Sequence, residues 1–418
     1  MIKDSSIIDM KVIKRKENII VSNDLSRKIS NKKYSLQFLP TCFDYIKDLK
    51  IINYKGEKLK TAYLIDIVNG LILKYYFKKE NKYVLNATIL KDRYGYLYNY
   101  YINYLVETGI LTMVNNYRKG KSSRVYSLNE KIFTNKISRY KNEDKVLLKK
   151  YKKKVFDTVE LTDDNNNLIL PEVKQKLISD LFDVKIEMER SIFFLDSLKD
   201  KDIDMYNRNL YSVDCINKGH IFYHFDAYGR MHTNYTILRA FIRKNCLLID
   251  GDRTSEIDIS NSQPLFLTKL INDSKSNWID KKEFSIFKEL TMSGKYYEYI
   301  KQVLNIEKRS DVKEMTYKVL FGRNASNSKA DKLFKSIFPT IHRFIQLYKK
   351  ENGDYKVLAY KLQKMESDLI FNKIIKKIII SNPDIKLITV HDSIVIPKKY
   401  KDEVNAIFQT EILKEFNF

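Results

Sequence analysis

Hydrophobic and polar positions follow different periods along the chain, and the changes of period mark its organisation. Residues 1 to about 58 mix short apolar runs with Lys and Asn and predict little beyond partial order. The pattern from about 60 to 132 is denser. Thr88–Tyr94 predicts a short helix that Gly95 breaks, and Leu97, Tyr101, Tyr104 and Leu105 then fall at helical spacing. Gly109 ends this second helix, where a missing Cβ permits a left-handed cap. Ile110–Tyr117 and Ser123–Leu128 read as strands joined by the basic turn Arg118-Lys119-Gly120-Lys121. The charged stretch Lys136–Lys154 reads as a linker that can also touch phosphates. After the turn-forming Asp163-Asp164-Asn165-Asn166-Asn167, Pro171 opens a helical region to about Lys201.

At 418 residues the chain has room for two or three domains. Hydrophobic residues make up 44% and aromatics 13%, with only 11 Gly and 6 Pro, which excludes disordered and fibrous classes. Lys and Arg total 76 against 52 Asp and Glu, a formal net charge of +24 that favours a polyanionic partner, nucleic acid before membrane. Lys-, Ile-, Asn- and Tyr-rich usage also accompanies AT-rich coding sequence, so charge alone assigns no ligand. Cys42, Cys215 and Cys246 are too dispersed for a disulfide framework or a zinc ribbon. The first residues lack a signal-peptide pattern, and no apolar run approaches the ~20 residues of a membrane span. The expectation is a cytoplasmic protein without membrane contact.

Four segments carry candidate chemistry. In Ser255-Glu256-Ile257-Asp258-Ile259-Ser260-Asn261-Ser262-Gln263-Pro264, a carboxylate ends an apolar strand and precedes a helix, Leu265–Ile271. Asp258 is thus exposed at a strand edge, where it can hold a cation. Two β-rich runs flank His391-Asp392-Ser393 and predict a hairpin with an acid at its tip. A His-Asp pair could also belong to a metal-dependent hydrolase, but such sites need more His ligands than the five at 220, 224, 232, 342 and 391 offer. Between the two acids, Arg309, Lys313, Tyr317 and Phe321 recur every four residues on one face of a helix that Gly322 ends. Two cations and two aromatics on one stripe suit a nucleoside triphosphate. Upstream, Gly229-Arg230 can approach a nucleic-acid backbone closely.

In their order and internal spacing these segments resemble the catalytic palm and fingers of family A DNA polymerases, and more distantly the single-subunit RNA polymerases. The likeness spans roughly residues 205–418. Asp258 to Gln263 is similar to motif A, Arg309 to Gly322 to motif B, and His391-Asp392 to motif C. Gly229-Arg230 is similar to the element that holds the primer end. Gln363, five residues before Asp368, matches a glutamine that contacts nucleic acid near the primer terminus. The resemblance implies two Mg²⁺ ions, with Mn²⁺ as a substitute, held by Asp258, Asp392 and the main-chain carbonyl of Ile259. It gives Lys313 and Arg309 to the triphosphate, Tyr317 to the incoming sugar and base, and Phe321 to the template side. The helix-turn-helix and hairpin near residue 100 resemble a winged helix of plasmid and phage replication proteins, whose wing would carry Lys119 and Lys121 to phosphate.

The implied fold class is α+β, a right-hand palm and fingers with a short helical thumb behind a winged-helix domain. The expected division is an N-terminal extension (1–58), a winged helix (59–133), a basic linker (134–154), a thumb-like helical region (155–204) and the palm and fingers (205–418). The implied function is template-dependent nucleotidyl transfer in replication of a mobile element, as a small primase-polymerase. Its partners would be DNA template and primer, nucleoside triphosphates, and a helicase or small accessory subunit. A compact RNA polymerase and an inactive replication initiator are the alternatives.

Two positions depart from the family pattern. The DNA-synthesising members typically carry Glu five residues after the motif A acid, and Gln263 stands there. Ser393 follows His391-Asp392 where many carry Glu, as in the RNA-synthesising branch. Gln263 therefore predicts weakened discrimination against ribonucleotides. Matched incorporation assays check this, and discrimination above about ten-thousandfold, roughly 5.5 kcal/mol, contradicts it.

Overall fold

The computed structural model describes residues 33–117, 124–133, 136–151, 172–324 and 328–416. They form a mixed α+β structure of two compact units. The first holds the described residues up to Phe222 together with Thr233–Gly251, and the second holds Tyr223–His232 and the described residues from Asp252 onward.

Helix α1 (Thr61–Lys78) organises much of the first unit, because its apolar sequence is buried on most sides. It ends at Lys79, a left-handed residue that donates its N–H to the Tyr75 carbonyl. Strand β1 (Ser35–Pro40) has extensive contact with this helix. Asn86 caps α2 (Ala87–Tyr94), its Oδ1 accepting from Thr88 and Ile89 N–H, and α3 (Tyr98–Glu107) follows. Strands β2 (Tyr83–Val84), β3 (Leu111–Asn115) and β4 (Val125–Leu128) form an antiparallel sheet with β4 central. Leu64, Leu71, Tyr101, Leu105 and Leu128 share one apolar core. Lys119 and Lys121, expected on the turn of this hairpin, lie outside the described residues.

The charged stretch read as a linker is structured where it is described. Ile137–Asn142 is strand β5, which pairs antiparallel with β1 from Ser35↔Asn142 to Pro40↔Ile137. Residues 145–151 are helical. Charge misled the reading because these polar groups point at partners: Arg139 pairs with the buried Asp214, and buried Asn142 donates to Gln37 Oε1 and the Ala62 carbonyl. The helical region expected up to Lys201 is also interrupted. After α4 (Glu172–Asp180), Val184–Ile186 pairs antiparallel with Leu247–Ile249 before α5 (Met188–Lys199) and α6 (Ile203–Asn217) resume.

The second unit begins with a hairpin of β6 (Tyr223–Phe225) and β7 (Met231–Thr233). Its sheet places β10 (Ser393–Pro397) between β8 (Asp252–Asp258) and β9 (Ile388–Val390), all antiparallel. Every residue of β9 and β10 is buried, which their β-branched sequences suit. The intervening chain is helical: α7 (Ser262–Ser274), α8 (Lys281–Met292), α9 (Tyr296–Val303), α10 (Arg309–Phe321), α11 (Lys329–Ile337), α12 (Pro339–Glu351) and α13 (Val357–Ser367). A π-helical segment, Asp368–Ile375, continues α13, and α14 (Lys401–Phe416) follows the sheet.

A buried polar network ties the first unit together. Asp66 on α1 accepts from Gln37 Nε2 at 2.6 Å, Arg93 Nε at 2.7 Å and Tyr94 Oη at 2.7 Å. The acid therefore joins β1, α1 and α2. Asp66→Ala leaves these donors unpaired and is expected to lower stability by about 3 kcal/mol, read by urea denaturation.

Candidate active site

Antiparallel pairing sets the two candidate acids side by side. Asp258, the last residue of β8, lies opposite Ser393, the residue after Asp392. Asp258 is exposed and Asp392 is half-buried. Val390 and Ser393 close a two-residue turn whose first residue, His391, is left-handed with φ 57°. Glycine usually takes that position. On the other side, Asn261 is left-handed with φ 54° between Asp258 and α7. A strained residue thus stands within three positions of each acid. Ser393 is committed inward, its Oγ donating to Glu256 Oε1 at 2.7 Å, and it is also close to the Val390 carbonyl.

One residue at the centre of the site escaped the sequence reading. Glu366 on α13 is 1% exposed and gathers three of the segments singled out above. Its Oε1 accepts from Arg230 Nε at 3.0 Å and from Arg230 Nη2. Its Oε2 accepts from Gln263 Nε2 at 2.6 Å and from Ser262 Oγ. In sequence it looks like one more charged residue of a polar helix. The available signal was its position one turn after Gln363.

Arg230 reaches this acid because its turn is folded around Asp226. Asp226 Oδ1 accepts from the Tyr228 and Arg230 N–H groups, and Gly229 takes φ 86°. His232 Nε2 lies 2.9 Å from Asp226 Oδ2. The rings of His224 and His391 each have centroids 6.5 Å from that of His232, so three dispersed histidines meet in space. Even so, among the described residues no group of three or more His, Cys, Asp or Glu side chains is arranged to hold a metal ion.

Helix α10 begins and ends where the spacing predicts. Lys313, Tyr317 and Phe321 line one open groove of about 540 Å³ together with Gly322. Lys313 Nζ lies 5.5 Å from the Tyr317 ring centroid, and the Tyr317 and Phe321 rings lie 5.1 Å apart. Arg309 is turned away from this groove toward α9, with its guanidinium 4.9 Å from the Tyr297 ring and its Nε 3.2 Å from Glu298. The acids do not line the groove. What links them to it is Tyr317, whose hydroxyl is pushed up by burial and by the charges of Asp392 and Glu366. Gln363 is half-buried on α13. No protein-family model and no curated protein matches the chain.

Burial raises the Asp392 carboxyl from 3.8 to about 6, and the negative charges of Glu366 and Asp258 add to the effect, while Arg230 opposes it. The native state therefore holds this proton where the unfolded chain has released it, so stability falls as pH rises from 3.8 to about 6 and the deficit is constant above. Asp392→Asn removes that penalty. In metal-free buffer it is expected to melt several degrees above the parent at pH 7.5 and to lose the advantage near pH 4, as read by thermal scans.

Proposed function

We propose that the chain is a template-dependent nucleotidyltransferase, a DNA polymerase or primase-polymerase working in replication of a mobile element. The observation that carries this reading is the register that sets Asp258 beside Asp392, with Tyr317 of the cationic-aromatic helix inside their electrostatic reach. In this reading β8, β9 and β10 belong to the palm and α10 to the fingers. Helices α2 and α3 with β3 and β4 form a winged helix that grips duplex DNA, and α4 and α5 lie in the short thumb.

The donor set fits magnesium. Mg²⁺ takes hard oxygen ligands, commonly one or two carboxylates completed by substrate phosphates. Asp258, Asp392 and the Ile259 carbonyl would supply the protein's share, and the mutual repulsion that raises Asp392 is what a cation relieves. Bound there, a pair of such ions would activate the attacking 3′-oxygen and stabilise the leaving pyrophosphate. Lys313 neutralises charge that develops on the triphosphate. Arg309 would first have to leave Glu298 to assist it, which its exposed position allows. Tyr317 stacks on the incoming sugar and base, and Phe321 extends the apolar surface toward the template. His391 at the hairpin tip, Arg230 and Gln363 face the primer end.

Incubating the full chain with single-stranded DNA, Mg²⁺ and mixed nucleotides, with and without an annealed primer, tests this. Extension of the primer is expected, and products without primer would establish priming. Asp258→Ala and Asp392→Ala should each lower incorporation at least about a thousandfold while DNA affinity changes little. Normal incorporation by either variant contradicts the assignment. DNA binding without any incorporation would favour a replication initiator, and a need for a double-stranded promoter would favour an RNA polymerase.

A further inference from the structure

Buried polar atoms without partners are uncommon in folded proteins, and each calls for a ligand, a water or a stored strain. Four of them fall on three residues beside Glu366. Among the described residues, both amide atoms of Asn261, the Oε1 of Gln263 and the Oγ of Ser367 are buried and unbonded. Gln263 is 3% exposed, and it adjoins the acid pair through Glu366, whose charge is felt by both Asp392 and Tyr317.

The orientation of the Gln263 amide follows from chemistry. An ionised carboxylate only accepts hydrogen bonds, so Glu366 Oε2 must face the Gln263 nitrogen. That leaves the Gln263 carbonyl oxygen as a bare acceptor. Glu366 itself cannot turn, because Arg230 holds its other oxygen and Ser262 shares the first. We infer that Glu366 is a positioning residue that locks the Gln263 carbonyl in place to accept a hydrogen bond from a sugar hydroxyl, which makes ribonucleoside triphosphates substrates of this site. A ribose 2′-hydroxyl satisfies the acceptor, and a deoxyribose leaves it bare at a cost in binding. The inference rests on the polymerase reading and adds to it the residue that sets sugar choice.

The test is the ratio of kcat/KM for matched ribo- and deoxyribonucleotides in the parent, Gln263→Met, Glu366→Gln and the double variant. Gln263→Met removes the acceptor and should lower the ribo-to-deoxy ratio about tenfold, the loss of one hydrogen bond. Glu366→Gln should lower it as well, although position 366 is buried, because its new N–H can donate to the Gln263 carbonyl and occupy it. In the Gln263→Met background Glu366→Gln should have no further effect on the ratio. A merely structural Glu366 would change the melting temperature and the overall rate but not this ratio. An unchanged ratio in Glu366→Gln, or an equal change in both backgrounds, overturns the inference. If Glu366→Gln melts below the assay temperature, Glu366→Asp, which withdraws the carboxylate by one methylene, replaces it with the same expectation. A parent that incorporates neither nucleotide defeats the polymerase reading instead.

Discussion

The candidate site depends on the register between β8 and β10. Side chains alternate faces along a strand, so a slip of one residue would send Asp258 to the opposite side of the sheet from its present neighbour. Two features of the sequence hold the register. Ile394, Val395 and Ile396 are wholly enclosed, and moving them by one position would change which of them meet each covering layer. The two-residue turn at His391-Asp392 also leaves no slack between β9 and β10. The acids are thus placed by packing that takes no part in their chemistry.

Placing carboxylates together raises a second problem, since Asp258, Asp392 and Glu366 repel one another. Arg230 offsets part of this from the side, with 19% of its side chain exposed. Glu366 in turn is the least exposed of the three acids and the most fully hydrogen-bonded. The arrangement divides the labour: one acid is neutralised inside the protein and serves as scaffold, and two are left uncompensated near the surface. Uncompensated neighbouring acids cost stability, and natural proteins commonly accept that cost at functional sites.

What the sequence disclosed depended on whether a residue's role was local. Helix α10 was legible to the residue because its four-residue stripe and Gly322 are both local signals. The strand ending at Asp258 and the hairpin at His391 were legible for the same reason. Their adjacency, between residues 134 positions apart, rested on resemblance until the pairing of Asp258 with Ser393 was seen. Strand β5 was hidden by its charges, whose partners Asp214 and Gln37 lie far along the chain. Glu366 was hidden more completely, since nothing local separates a buried carboxylate from a solvated one on a Lys-rich helix.

The second unit is not a continuous piece of chain, because Tyr223–His232 belongs to it while Thr233–Gly251 does not. That short excursion delivers Arg230, the only cation recorded against Glu366 among the described residues. A fragment beginning at Asp252 would keep both surface acids and the whole of α10, yet strand a buried negative charge at its centre. Excision at the apparent boundary would therefore yield a protein with every expected catalytic side chain and an interior that resists closing around them.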